Sequence, residues 1–209
     1  MKVVYETDAG PLLDWLPPKL TRSSPPYAVM TVAYFPESPV GEFSLAAQYL
    51  GCRAGLFIRA FTLQAVTDNT AALVALREIW GYPCRPGAVG LRLGEEGVTA
   101  QASADGASLV AIELAALREI EGALVRFDPV LNLRVLPSLQ EGKRHDLVQL
   151  VQIDPDYDVG RASRASATIK FPAREGGATW GVLPVRNVIS AVYCELHTEM
   201  PLARFVMPY

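Results

Sequence analysis

Between Ala88 and Leu114 the chain carries three stretches of strand-forming residues, Ala88 to Leu93, Val98 to Ala102 and Leu109 to Leu114, parted only by G-E-E-G and A-D-G. Connections this short cannot cross over to a parallel neighbour, so the three stretches must pair as an antiparallel meander with hairpin turns. The same rhythm runs through most of the sequence. Tyr27 to Tyr34 is rich in strand formers, Pro36 to Gly41 is turn material, and Glu42 to Leu50 makes the partner of a hairpin-like pair. Gly51 to Gly55 reads as a turn before the alternating run Leu56 to Val66. Asp128 to Pro137, Leu147 to Ile153, Val159 to Phe171 and Leu183 to Val206 continue the strand pattern. At the start, Lys2 to Tyr5 is a short strand, and Asp8 to Leu16 is a helical turn or two stopped by Pro17-Pro18.

One helix interrupts the strands. Thr67-Asp68-Asn69-Thr70 offers side-chain oxygens to exposed backbone N–H groups, and Ala71 to Trp80 follows with good helix formers. Gly81 suits the helix C-terminus. Pro83 then forces Tyr82 out of the helical region, which leaves Cys84 and Arg85 at the start of a loop, fenced by Pro83 and Pro86. Two prolines restrict a dipeptide in a way that suits a structural corner and equally suits side chains held in one direction.

With 209 residues, half of them apolar, the chain can bury a substantial core and reads as a single domain, residues 1–209. A net charge of −3 without a basic cluster argues against nucleic-acid phosphates or an anionic membrane as partner, and leaves a small molecule or another protein. No segment reaches the roughly 18 uninterrupted apolar residues of a membrane span, and Met-Lys-Val-Val-Tyr-Glu lacks a signal-peptide core, so a cytoplasmic protein is expected. Cys52, Cys84 and Cys194 are odd in number and lack C-x-x-C spacing, which supports neither disulfides nor a cysteine zinc site.

The stretch R-E-I-W-G-Y-P, Arg77 to Pro83, resembles the signature of the acetoacetate decarboxylase-like proteins, in which R-E-x-x-x-Y-P is followed by Lys-Lys. The opening V-V-Y-x-T-D, Leu133 to Pro137, and the L-P-V-R that begins the last segment are also similar to that family. The resemblance implies a mainly β (α+β) fold, an antiparallel β-cone or open barrel with a packed helix, and a homo-oligomer. In the family the first lysine forms a Schiff base with a β-keto acid and the second lowers its pKa. Here Cys84 and Arg85 occupy those slots. The family also carries an acidic residue inside the strand matching Tyr27 to Tyr34, where this chain has Ala28, and another in a P-Y-x-E element, which Glu42 of P-V-G-E-F fits.

A thiol cannot supply the protonated imine that serves as electron sink, and an arginine stays protonated, so the resemblance implies the scaffold without its Schiff-base decarboxylation. Four lysines remain, Lys2, Lys19, Lys143 and Lys170. Of these, Lys170 in A-T-I-K-F is the expected substitute amine if an imine forms, against the ordinary reading of a lysine snorkelling at a strand end. Cys84 beside Arg85 reads either as a thiolate or as a small apolar residue filling the space of a lysine. The expected site is Cys84, Arg85 and Glu42. Arg85 would bind a carboxylate and Cys84 or Glu42 would act on the adjacent carbon of a small keto or carboxylate compound, by lyase, hydratase or isomerase chemistry; the alternative is a non-catalytic binding protein. No cofactor is called for. Glu195, His197 and Glu199 share one strand face, at a spacing wide for one metal ion, and read as a polar stripe.

Overall fold

A computed structural model of the chain describes residues 1–172 and 179–209. In chain order the elements are β1 (Lys2–Glu6), α1 (Ala9–Trp15), β2 (Thr21–Arg22), β3 (Tyr27–Phe35), β4 (Phe43–Ala54), β5 (Phe57–Thr67), α2 (Thr70–Glu78), β6 (Cys84–Pro86), β7 (Ala88–Leu93), β8 (Gly97–Ala104), β9 (Ala107–Ile120), β10 (Val130–Pro137), β11 (His145–Ile153), β12 (Asp156–Lys170), β13 (Asn187–Glu199) and β14 (Arg204–Pro208). Strands β7, β8 and β9 form the expected meander, with Asp105 and Gly106 at positive φ turning the chain between β8 and β9.

Among the described residues one sheet takes in the strands, in the order β14-β11-β10-β5-β4-β3-β1-β13-β12-β9-β8-β7, with β2 on β4 and β6 on β5 off this path. Most pairs are antiparallel. Two are not: β10 and β6 both run parallel to β5, which makes the sheet mixed. The sheet curls over both of its faces. Strand β7 packs against β3, β4 and β5, and this end of the sheet encloses a core holding Tyr5, Met30, Leu50, Val66, Leu109 and Ile112, which we call the meander-side core. On the other face, Val29, Leu45, Ala47, Tyr49 and Ala65 meet Leu76 of α2, Val130 of β10 and Ile153 of β11 in a helix-side core. Strands β3, β4 and β5 are thus buried on both faces, which explains their nearly unbroken apolar runs.

Two local expectations change. Gly51 does not open a turn: β4 continues to Ala54 and the chain reverses at Gly55, whose φ is +62°. Gly51 instead lies under the Tyr27 ring, where a Cβ would come within 2.3 Å of ring carbon, so glycine is needed there for close approach. Cys84 and Arg85 are not in a loop either. They form β6, and the register Ala65↔Cys84, Val66↔Arg85 fixes which way each side chain points.

Helix α2 begins one residue before the expected Ala71, with the Asn69 side chain accepting from the Ala72 N–H at 3.0 Å. It ends as Pro83 requires. Gly81, at φ +67°, donates its N–H to the Arg77 carbonyl, and the Tyr82 N–H donates to the Leu76 carbonyl at 3.0 Å. No helix among the described residues is long and apolar enough to cross a membrane.

Candidate functional site

The helix C-terminus delivers Tyr82 and Cys84 to one face of the sheet. Tyr82 is held by its N–H bond to α2, and the Cys84 N–H donates to the Tyr82 carbonyl at 2.7 Å. Pro83 contributes its carbonyl to the Ala65 N–H at 3.2 Å, which pins the segment against β5. Residues two apart in an extended segment share a face, so Tyr82 and Cys84 both enter the helix-side core. The turn above them is tied down as well: the Asn132 amide donates to the Trp80 carbonyl at 2.7 Å, and the Trp80 indole N–H donates to the Pro201 carbonyl at 2.7 Å.

Cys84 is 5% exposed. Burial pushes its thiol up to about 11, outweighing the Arg85 backbone and the Arg77 charge, which act the other way. At neutral pH the thiol is therefore protonated, and the structure holds it as a small packed group rather than as a thiolate. Two phenols, of Tyr49 and Tyr82, lie near it among aliphatic side chains. Tyr49 on β4 shares hydrogen bonds with Thr31 on β3 and with Tyr82, and burial raises the pKa of both tyrosines. Tyr157 of β12 lies close enough to couple to Tyr49 and stacks on Phe127 at 4.2 Å between ring centroids. The site is a set of O–H and S–H groups in a largely apolar surround, with the Arg77 charge near enough to act on the thiol.

Arg85 is elsewhere. It projects from the opposite face of β6, with Val66 in register, and its guanidinium donates to the Asp105 carboxylate at 3.3 Å. It lines an open cavity of about 230 Å³ with Trp15, Leu63, Gln64 and Pro83. Glu42 is exposed ahead of β4, where its carboxylate accepts from the Tyr34 hydroxyl at 2.9 Å and its carbonyl accepts from the Asn69 amide. The three expected site residues thus occupy three separate places.

The two strands that bring the family's acids present no carboxylate to Cys84. Ala28 packs into the meander-side core, whereas Val29 on β3 faces the helix-side core and Thr31 reaches Tyr49 from the same strand. On β4 the inward residue is Leu45, three positions after Glu42.

Among the lysines, Lys170 is exposed at the end of β12, opposite Ala111 of β9. Lys2 is the lysine that burial perturbs: its pKa is lowered by desolvation, its ammonium donates to the Arg126 carbonyl, and it lies 5.0 Å from the centre of the Phe127 ring. Glu195, His197 and Glu199 run along exposed positions of β13, with Asp158 opposite His197 and Asp156 opposite Glu199. Among the described residues no three His, Cys, Asp or Glu side chains are placed so that they could hold one metal ion.

Tyr49, Tyr82, Thr31 and Tyr157 are the residues that reading the sequence passes over. Only Tyr82 carried a signal, since it sits two positions before Cys84 in an extended segment. The others come together through strand register that no local pattern encodes.

Comparison with known proteins agrees with this fold. The sequence profile of acetoacetate decarboxylase matches residues 1–209. No curated protein sequence matches. Among solved structures, the acetoacetate decarboxylase of Legionella pneumophila subsp. pneumophila str. Philadelphia 1 superposes with a TM-score of 0.91 at 20% identity, covering 100% of this chain and 84% of that one. An acetoacetate decarboxylase-like enzyme from Sphingomonas wittichii RW1 gives 0.85 at 18%, covering 100% and 90%. The enduracididine biosynthesis enzyme MppR, solved with pyruvate, gives 0.81 at 17%, covering 100% and 88%.

Proposed function

Given that the chain belongs to the acetoacetate decarboxylase family, we propose that its helix-side core takes a small keto acid and activates the carbonyl by hydrogen bonds from Tyr49 and Tyr82, without an imine. The observation that carries this reading is the make-up of the face around Cys84. It offers phenols and a protonated thiol where the family has an amine, and neither β3 nor β4 brings a carboxylate to it.

The same make-up narrows the chemistry. Hydration and isomerisation require a positioned base to take a proton, and neither β3 nor β4 brings a carboxylate to this face to serve as one. A lyase step on a β-keto acid does not. The bond between the α-carbon and the carboxylate breaks, its electron pair moves into the enolate, carbon dioxide leaves, and water returns a proton to carbon. The phenols stabilise the developing oxyanion, an effect that grows in a dry site. That a family relative, MppR, was solved with pyruvate supports a keto acid as ligand class.

One observation favours a second reading, a binding protein without turnover: Cys84 is packed rather than poised, its thiol kept protonated by burial against the opposing pull of the Arg77 charge. The test is to incubate the full chain with a panel of 2-keto and 3-keto acids, following substrate loss by NMR and ligand-induced change in melting temperature. Turnover that falls in Tyr49→Phe and Tyr82→Phe supports the lyase reading. A ligand that binds and is recovered unchanged supports the binder. A mass adduct trapped on the wild-type protein by borohydride would overturn the imine-free reading.

A further inference from the structure

The cavity on the opposite face of β6 has a construction of its own. A register shift between Gln48 and Tyr49 of β4 pairs Gln48 with Gln64 and Tyr49 with Thr62, leaving Leu63 as an extra residue in β5. The bulge brings Leu63 and Gln64 together to the cavity floor, beside Pro83. Trp15, at the end of α1 and 44% exposed, makes the apolar wall. Arg85 supplies the charge at the mouth.

Gln64 is fixed in place from behind. Its amide N–H donates to Gln48 at 2.5 Å, and Gln48, fully buried, donates in turn to the Tyr5 hydroxyl at 2.7 Å and the Trp180 carbonyl at 3.2 Å. Arg85 is only lightly held. Its partner Asp105 is 69% exposed in the tight turn between β8 and β9, and an exposed ion pair of this kind is worth about 0–1 kcal/mol. A ligand anion can displace Asp105 at small cost, and the fork of guanidinium N–H groups suits two carboxylate oxygens.

We propose that this cavity is a binding site for a small monocarboxylate with an apolar tail, the carboxylate on Arg85 and the tail between Trp15, Leu63 and Pro83. A volume of about 230 Å³ limits the ligand to about eight heavy atoms, at roughly 30 Å³ for each water displaced. The site lies across the sheet from Cys84 and does not depend on the function proposed for that face. It also gives Arg85 a carboxylate-binding role that the Cys84 face, from which Arg85 points away, cannot.

The experiment titrates butanoate, hexanoate and benzoate, with butanol, hexanol and benzyl alcohol as uncharged controls, into the full chain while recording the Trp15 indole resonance. The expected result is a saturable shift with the acids, about tenfold weaker or more in Arg85→Gln and partly restored in Arg85→Lys. Asp105→Asn, which removes the competing carboxylate, is expected to tighten binding. Cys84→Ala and Tyr82→Phe are expected to leave it unchanged, so that failure of this site and failure of the function proposed for the other face are told apart. Acids and alcohols shifting Trp15 alike, or an affinity unchanged in a folded Arg85→Gln variant, would overturn the proposal.

Discussion

Cys84 and Arg85 are neighbours in sequence, yet they leave β6 on opposite faces of the sheet, the thiol among buried tyrosines and the guanidinium toward the Asp105 carboxylate 3.3 Å away. The cation next in sequence therefore does not activate the sulfur. With the thiol pushed up to about 11, only about one Cys84 in a thousand is a thiolate at pH 8. Iodoacetamide under native conditions is expected to leave Cys84 unmodified over hours and to modify it promptly after unfolding, read by peptide mass. Rapid native alkylation would show an activated sulfur.

The same shift makes stability depend on pH. The folded pKa of Cys84, about 11, lies above the ordinary value of 9.0, so above pH 9 the native state holds more protons than the unfolded chain. The contribution is fully present below pH 9 and is lost as the pH rises through 11. Two units correspond to on the order of 2–3 kcal/mol. Cys84→Ala is expected to remove about that much of the fall in unfolding free energy between pH 9 and pH 11, measured in urea. The raised tyrosines nearby keep part of the alkaline limb in the variant, and an identical fall in both proteins would mean that the thiol is not held up by the fold.

Cys84→Lys places an ammonium in an apolar, phenol-lined core that presents no carboxylate from β3 or β4. Desolvation is expected to lower both its pKa and the protein's melting temperature, by about 2–4 kcal/mol in stability. That lysine is expected to give a borohydride-trapped adduct with a small keto acid. The wild type, with Lys170 exposed at the far end of β12, is expected to give none. Absence of the adduct in a folded variant would show that the face does not admit keto acids.

Much of the fold could be read ahead of the structure. The meander follows from turns too short for anything else, and the end of α2 follows from Gly81 and Pro83. The site was less legible, because it depends on which face each residue takes. Cys84 and Arg85 looked like a pair while they were placed in a loop, and a three-residue parallel strand separates them. Glu42 fitted the family's acid, against the ordinary reading of a solvated acid at a strand end, while the strand was taken to begin there. The strand begins at Phe43, and Leu45 is the residue that turns toward the site. Tyr49 and Tyr157 lie 108 positions apart in sequence and meet only because the sheet curls.

The buried amide network behind Gln64 gives the last prediction. Gln48 satisfies three groups at once: it donates to the Tyr5 hydroxyl and the Trp180 carbonyl, and it accepts from Gln64. Gln48→Leu keeps the volume, strands the Tyr5 hydroxyl and the Trp180 carbonyl in the meander-side core and takes one acceptor from Gln64, so a loss of about 3 kcal/mol is expected in urea unfolding. Tyr5→Phe removes one hydroxyl that the fold has already desolvated, as its strongly raised pKa reflects, and is expected to cost about 1 kcal/mol. The two side chains touch, so their effects are not expected to add. The double variant should be more stable than the sum of the single losses implies by about 1 kcal/mol, because Gln48→Leu leaves no amide for the phenol to lose. Strict additivity would mean that the two groups are satisfied independently and that the network does not act as a unit to hold Gln64 at the cavity floor.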